Sequence, residues 1–151
     1  MGDLQVRIET LPPMRVASAY GFGESPEGVA FGLMEGWARP KGLMEDNPTY
    51  GFDNPSPTPG SPNYGYEVWL PVGPEVEGEG EINIKEFPGG LYAVARCERL
   101  AVIGERWKGL VRWREGSKYG CGHHQWLEKL LTPASLPEDQ LVFDLYLPIS
   151  E

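Results

Sequence analysis

Hydrophobic and polar residues alternate along several short stretches of the chain, and in two of them the alternation carries the same unusual side chains. In Tyr66-Glu67-Val68-Trp69-Leu70-Pro71-Val72, the side chains of Tyr66, Val68 and Leu70 point one way and those of Glu67 and Trp69 the other. In Phe143-Asp144-Leu145-Tyr146-Leu147-Pro148-Ile149, Phe143, Leu145 and Leu147 oppose Asp144 and Tyr146 in the same way. Each stretch predicts a β-strand with one ordinary core face. The other face sets a carboxylate beside a large aromatic ring, a costly pair to bury and a useful one to bind with.

Further alternation predicts strands over Gln5–Thr10, Arg15–Tyr20, Glu81–Glu86 and Leu91–Arg96. Ser25-Pro26-Glu27 reads as a helix start, with Ser as cap and Pro in the first helical position. That helix runs through Val29, Phe31, Met34 and Trp37 and ends before Pro40. A second helix is expected over Leu100–Trp113, with Ile103, Trp107, Leu110, Val111 and Trp113 as its apolar side. Trp126, Leu127, Leu130 and Leu131 predict a short extra helix over His124–Leu131. Between Gly42 and Tyr64 lies a loop dense in Pro, Gly, Asn and Asp, long enough to suggest a function of its own. Its Tyr50, Phe52 and Tyr64 either line a site or pack the loop down.

The chain repeats itself. An offset of 76 sets Ile8 on Ile84, Pro12 on Pro88, Ala17 on Ala93, Phe31 on Trp107 and Trp37 on Trp113. An offset of 77 sets Glu67 on Asp144 and Pro71 on Pro148. One register, with a single-residue slip, holds through strand, strand, helix and closing strand, which marks an internal duplication. The expected fold is α+β: two β-β-α-β units, over roughly residues 4–72 and 81–149, each with room for a further strand inside its long loop. Two main helices would pack on antiparallel sheet about a pseudo-two-fold axis. A central ligand cleft is expected between the halves, with Glu67 and Asp144 as symmetry mates facing it.

Composition narrows the function. The 151 residues suffice for one domain, 1–151, with a real core, and 40% hydrophobic with 23% charged residues is a globular balance. A net charge of −9 opposes direct nucleic-acid binding and favours cations. No apolar run is long enough to span a bilayer, and no secretory signal opens the chain, so a cytoplasmic location is expected. In that setting Cys97 and Cys121 are expected as free thiols. Cys121-Gly122-His123-His124 gathers metal-capable side chains but lacks a second ligand pair at zinc-finger spacing, and no metal or cofactor is assigned. The Gly-rich segments lack a phosphate-loop pattern and its lysine.

The duplicated unit, with Tyr50-Gly51-Phe52-Asp53-Asn54-Pro55 and Tyr64-Gly65-Tyr66-Glu67-Val68-Trp69, resembles the GyrI-like small-molecule-binding domain over essentially the whole chain. Phe87-Pro88-Gly89-Gly90-Leu91-Tyr92-Ala93, Gln125-Trp126-Leu127-Glu128 and Asp144-Leu145-Tyr146-Leu147-Pro148 fit the same pattern. The resemblance implies the effector-binding domain of AraC-type or MerR-type regulators, here in stand-alone form, since no helix-turn-helix is seen beside it. It implies amphipathic, often cationic, aromatic ligands, held by an acid of the last strand among Tyr and Trp. Asp144 takes that place, one methylene shorter than the more usual Glu.

The expected ligand-binding set is Glu67, Trp69, Tyr92, Asp144, Tyr146, Trp37, Trp113 and Phe52. Trp69 and Tyr146 share the acids' faces, and the Tyr92 hydroxyl would orient a carboxylate. Trp37 and Trp113 either flank the cleft or fill the core between helix and sheet. The leading reading is a stand-alone binding protein that senses or sequesters such xenobiotics, with no membrane partner. Two others stay open. One is a hydrolase of reactive cyclopropanoid xenobiotics, with Glu67 activating water in the same aromatic cage. The other is a protein-interaction module of the gyrase-inhibitor kind.

Overall fold

A computed structural model of the chain describes residues 4–44, 48–133 and 135–151. Residues 45–47 of the long loop and residue 134 lie outside the described set. The chain divides into two compact units, a continuous one (Met14–Phe87) and a discontinuous one (Met1–Pro13 with Pro88–Glu151).

The continuous unit holds β2 (Met14–Gly23), α1 (Pro26–Ala38), β3 (Thr49–Asp53), β4 (Tyr64–Pro71) and β5 (Asn83–Phe87). The discontinuous unit holds β1 (Arg7–Leu11), β6 (Gly90–Cys97), α2 (Ile103–Glu115), the two-residue β7 (Gly120–Cys121), β8 (Leu127–Leu130) and β9 (Phe143–Ser150). All described strand pairings in both are antiparallel. In the continuous unit the strands run β3-β4-β2-β5, and in the discontinuous unit β8-β9-β6-β1, with β7 on the end of β9. The same order twice is the duplication expressed as structure. The units are not the sequence repeats, however. The first strand of each repeat pairs with the second strand of the other: β1 lies on β6 and β5 lies on β2.

In the continuous unit α1 covers one face of the sheet. Ala17 and Ala19 of β2 and Ala30, Met34 and Ala38 of α1 meet Tyr66, Val68 and Leu70 of β4, all buried. Alanines on both sides let helix and strand approach closely. The approach is tightest at Gly21, where an added Cβ would stand 2.4 Å from the Pro26 carbonyl oxygen. The α1 start falls where Ser25-Pro26 places it, but the Ser25 hydroxyl makes no capping hydrogen bond. In the discontinuous unit α2 packs on β6 and β9 and buries Leu110.

One element differs from expectation. His124–Leu131 holds strand β8, not a helix. Leu127 and Lys129 share the face of their β9 partners Tyr146 and Asp144, so the operative period is 2. The symmetric strand, β3, does lie inside the long loop, where the repeat leaves room for it.

Candidate functional site

The two acid-bearing strands, β4 and β9, are buried on both faces near the acids. On the face of the continuous unit away from α1, register brings together Ser18, Tyr50, Phe52, Glu67, Trp69, Lys85 and Phe87. Glu67 is 2% exposed and Trp69 8%. The Trp69 ring meets Phe52 edge-on at 4.8 Å and Phe87 at 5.4 Å. Gly51 leaves the space above β3 that the Tyr66 hydroxyl enters, since a Cβ there would lie 2.1 Å from it.

A buried carboxylate demands donors, and Glu67 has four. Ser18 Oγ donates at 2.7 Å, Trp69 Nε1 at 2.6 Å and Lys85 Nζ at 2.7 Å, all to Oε2. Oε1 accepts only from Asn54 Nδ2, at 3.2 Å, among the described residues. Burial alone would push the Glu67 carboxyl up. The hydrogen bonds from Lys85, Ser18 and Trp69, with the Lys85 charge, outweigh it and hold the group below its ordinary value. Glu67 is therefore ionised at neutral pH.

The discontinuous unit repeats the design with other partners. Its face away from α2 carries Arg7, Glu9, Tyr92, Arg96, Asp144 and Tyr146. Asp144, 3% exposed, accepts from Arg96 Nε at 2.6 Å and Arg7 Nη2 at 2.7 Å. Burial pushes its carboxyl up, and the two arginines more than reverse this, so Asp144 also titrates below its ordinary value. Arg7 bonds Glu9 as well, and Glu9 accepts from the Tyr146 hydroxyl at 3.1 Å. The result is a chain of alternating charge from Arg96 to Glu9. Tyr146 stands edge-on to Tyr92 at 5.4 Å, and the Tyr92 hydroxyl donates to the Gln125 carbonyl. His124 bonds the Leu91 carbonyl at 2.7 Å and meets the Tyr92 ring at 4.7 Å. Among the described residues no group of three or more His, Cys, Asp or Glu is placed to hold a metal.

The structure thus gathers Glu67, Trp69 and Phe52 in one unit, and Asp144, Tyr146 and Tyr92 in the other. It places the two helix tryptophans elsewhere. Trp37 packs against the α1 core, with Lys41 over its ring at 5.6 Å, and Trp113 stacks on Tyr119. The Tyr92 hydroxyl donates to the Gln125 backbone carbonyl. Alternation along β4 and β9 does not point to Lys85, Ser18, Arg7 or Arg96, the partners of the two acids, or to Glu9, which bonds Arg7. Their signal is strand register, which alternation in one strand does not supply.

Two units of one strand order, each with a helix on one face and a buried acid among aromatics on the other, define an α+β effector-binding domain of the GyrI-like kind. The chain belongs to the Cass2 family of integron-associated effector binding proteins, whose model matches residues 7–149. No curated protein matches it in sequence. Among solved structures, the EcmrR–DNA complex is similar at a TM-score of 0.70 and 13% identity, over 98% of this chain and 58% of the EcmrR chain, so this chain spans little more than half of that protein's length. A hydrolase from Listeria innocua is similar at a TM-score of 0.72 and 12% identity, over 99% of this chain and 94% of its own. SAV2435 bound to tetraphenylphosphonium is similar at a TM-score of 0.58 and 8% identity, over 97% and 94%. What these three share with the chain is the fold. No helix among the described residues is long and apolar enough to cross a membrane.

Proposed function

We propose that the chain binds an amphipathic, cationic aromatic small molecule at Glu67, for sensing or sequestration, with the ligand's cation taking the place of the Lys85 ammonium. Ligand binding in general is the property of its family; the cationic, aromatic chemistry is our reading. The observation that carries it is the state of Glu67: buried, ionised, beside Trp69 and Phe52, with Phe87 against the Trp69 ring, and with Oε1 holding one neutral donor where a carboxylate has room for more. Lys85 is the displaceable partner, since its side chain is 46% exposed. A delocalised organic cation loses less hydration than an ammonium on entering such a place, and each ring adds about 0.5–2 kcal/mol of cation–π attraction. That SAV2435 was solved with tetraphenylphosphonium supports the ligand class. Titration with tetraphenylphosphonium or a rhodamine-type dye, followed by tryptophan fluorescence, tests the proposal. Saturable quenching is expected, weakened about tenfold or more in Glu67→Gln, a cost of about 1.4 kcal/mol or more. Absence of saturation, or equal affinity in Glu67→Gln, overturns it.

Ionised Glu67 also favours a second reading, in which it activates water against a strained electrophile held on the same rings. Product from a cyclopropane-bearing alkylator, seen by mass spectrometry and lost in Glu67→Gln, decides for this reading. Binding without product decides against it for that substrate.

A further inference from the structure

The basic residues of this acidic chain are not spread evenly. Seven of the thirteen lie between Arg96 and Lys118, against three acids, so this segment carries a net +4 in a chain of −9. In the discontinuous unit four of the seven, Arg96, Arg99, Arg106 and Arg112, border an open groove of about 760 Å³. Its walls are the lead into β1, the end of β6 with the turn after it, and one stripe of α2.

The stripe follows helix geometry. Arg106, Gly109 and Arg112 recur every three residues along α2, so they face the same way, and Val102 of the turn before the helix lines the groove beside them. Leu4, Val102 and Gly109 are its small or apolar lining. Gly109 has no side chain, and a Cβ there would stand 3.3 Å from Leu4 Cδ2, so Leu4 is seated against the bare helix backbone. Around this lining stand Arg96, Arg99, Arg106 and Arg112. Arg96 is committed to Asp144 through Nε. Arg99, Arg106 and Arg112 make no ion pair among the described residues. Two acids, Glu98 and Glu105, also line the groove; Glu105 faces Lys108 at 3.7 Å, and Glu98 makes no ion pair among the described residues.

Unpaired guanidinium groups converging on one groove repel each other, and the chain has acids enough to pair them all. Guanidinium forks match the oxygens of phosphate, sulfonate and carboxylate groups. The volume falls within the range of small-molecule sites. We infer that this groove is a second ligand site, separate from Glu67, and that it takes an amphipathic organic anion: an oxyanion head among Arg99, Arg106 and Arg112, and an apolar body along Leu4, Val102 and Gly109.

The test is calorimetric and fluorescence titration of the full chain with 8-anilinonaphthalene-1-sulfonate, with inorganic phosphate as competitor. The wild type is expected to bind one dye saturably, and phosphate to displace it. Arg106→Gln with Arg112→Gln should weaken binding about tenfold or more, with circular dichroism unchanged, since neither side chain is in the core. Arg39→Gln with Lys41→Gln removes two charges outside the groove and should change affinity less than twofold. Equal weakening by both pairs, no displacement by phosphate, or no saturable binding overturns the inference. So does an oligonucleotide held through Arg106 and Arg112 by a protein that does not bind the dye, which would assign the groove to a polymeric anion.

Discussion

Lys85 and Glu67 form an ion pair that is wet at one end and dry at the other. Their atoms are 2.7 Å apart, but the lysine side chain is 46% exposed and the glutamate 3%. The repeat makes the asymmetry legible. An offset of 76 sets Glu9 on Lys85, so the discontinuous unit has an acid where the continuous unit has its cation. Asp144 is neutralised instead by Arg7 and Arg96. The duplicated acids persist while their counter-charges have been rewired.

Removing the lysine alone leaves a buried carboxylate with neutral donors only. Lys85→Met is expected to destabilise the free protein by about 2 kcal/mol. That is less than the ~3–5 kcal/mol of breaking a fully buried pair, because the lysine end is already in water. Adding Glu67→Gln removes the uncompensated charge, so the double variant should be more stable than Lys85→Met alone. Urea melts of the four proteins give the cycle. A Lys85→Met protein as stable as wild type would show that the pair contributes nothing. If a ligand cation takes the Lys85 position, Lys85→Met should also bind the cationic dye about tenfold more tightly.

Both acids tie stability to pH in one direction. Their folded pKa values lie below the unfolded ones, about 4.3 for Glu and 3.9 for Asp. The folded state holds their charged forms more firmly, so their contribution is fully present above those unfolded values. It is lost as pH falls through the lower folded values. The urea midpoint should hold from neutrality to about pH 5 and drop steeply below pH 4. In Asp144→Asn the drop should be shallower. A wild-type midpoint equal at pH 6 and pH 3 would remove the argument.

How far the sequence carries the fold is clearest at β8. Trp126, Leu127, Leu130 and Leu131 have helical spacing, but an offset of 77 lays Leu127–Lys129 on Tyr50–Phe52 of β3. Applied throughout, the repeat predicts the strand where local periodicity predicts a helix. The acid-aromatic faces of β4 and β9 were readable because alternation fixes which side chains share a face. The counter-charges were not, because they come from neighbouring strands whose register only the folded sheet defines. The exchange of β1 and β5 compounds this, since it carries Lys85 and Arg7 away from their own repeats. The helix tryptophans were ambiguous for another reason. Equivalent positions in two repeats identify symmetry, not which side of a sheet a helix packs against.

The two cysteines should separate cleanly by reactivity. Both are free thiols; Cys97 is buried and Cys121 exposed. Burial pushes the Cys97 thiol above its ordinary value, and its Sγ donates to the Arg99 carbonyl at 3.1 Å. Thiolate is the reactive species, so Cys97 is protected twice. One thiol per chain should react promptly with a disulfide reagent at pH 8, and the second only after denaturation. Cys121→Ser should abolish the prompt reaction; persistence of that reaction would place Cys97 within reach of solvent.

The approach of α1 to β2 at Gly21 offers a sharper test of packing than a core truncation. A Cβ at Gly21 would meet the Pro26 carbonyl oxygen at 2.4 Å, Val29 Cβ at 2.9 Å and the Ala30 nitrogen at 3.0 Å. Two of these are backbone atoms of the first helical turns and cannot swing aside. Gly21→Ala must therefore lift the start of α1 from the sheet and loosen the seating of Ala30 and Met34 against Ala17 and Ala19. Overpacking of this kind costs about 1–3 kcal/mol. Gly32, on the same helix, has nothing within 4 Å of an added Cβ. There the methyl group removes only the flexibility of glycine, and Gly32→Ala should stabilise by about 0.5–1 kcal/mol. Thermal melts of the two variants should thus move in opposite directions. A Gly21→Ala protein at least as stable as wild type would mean that helix and strand do not meet as closely as the alanines on both sides allow.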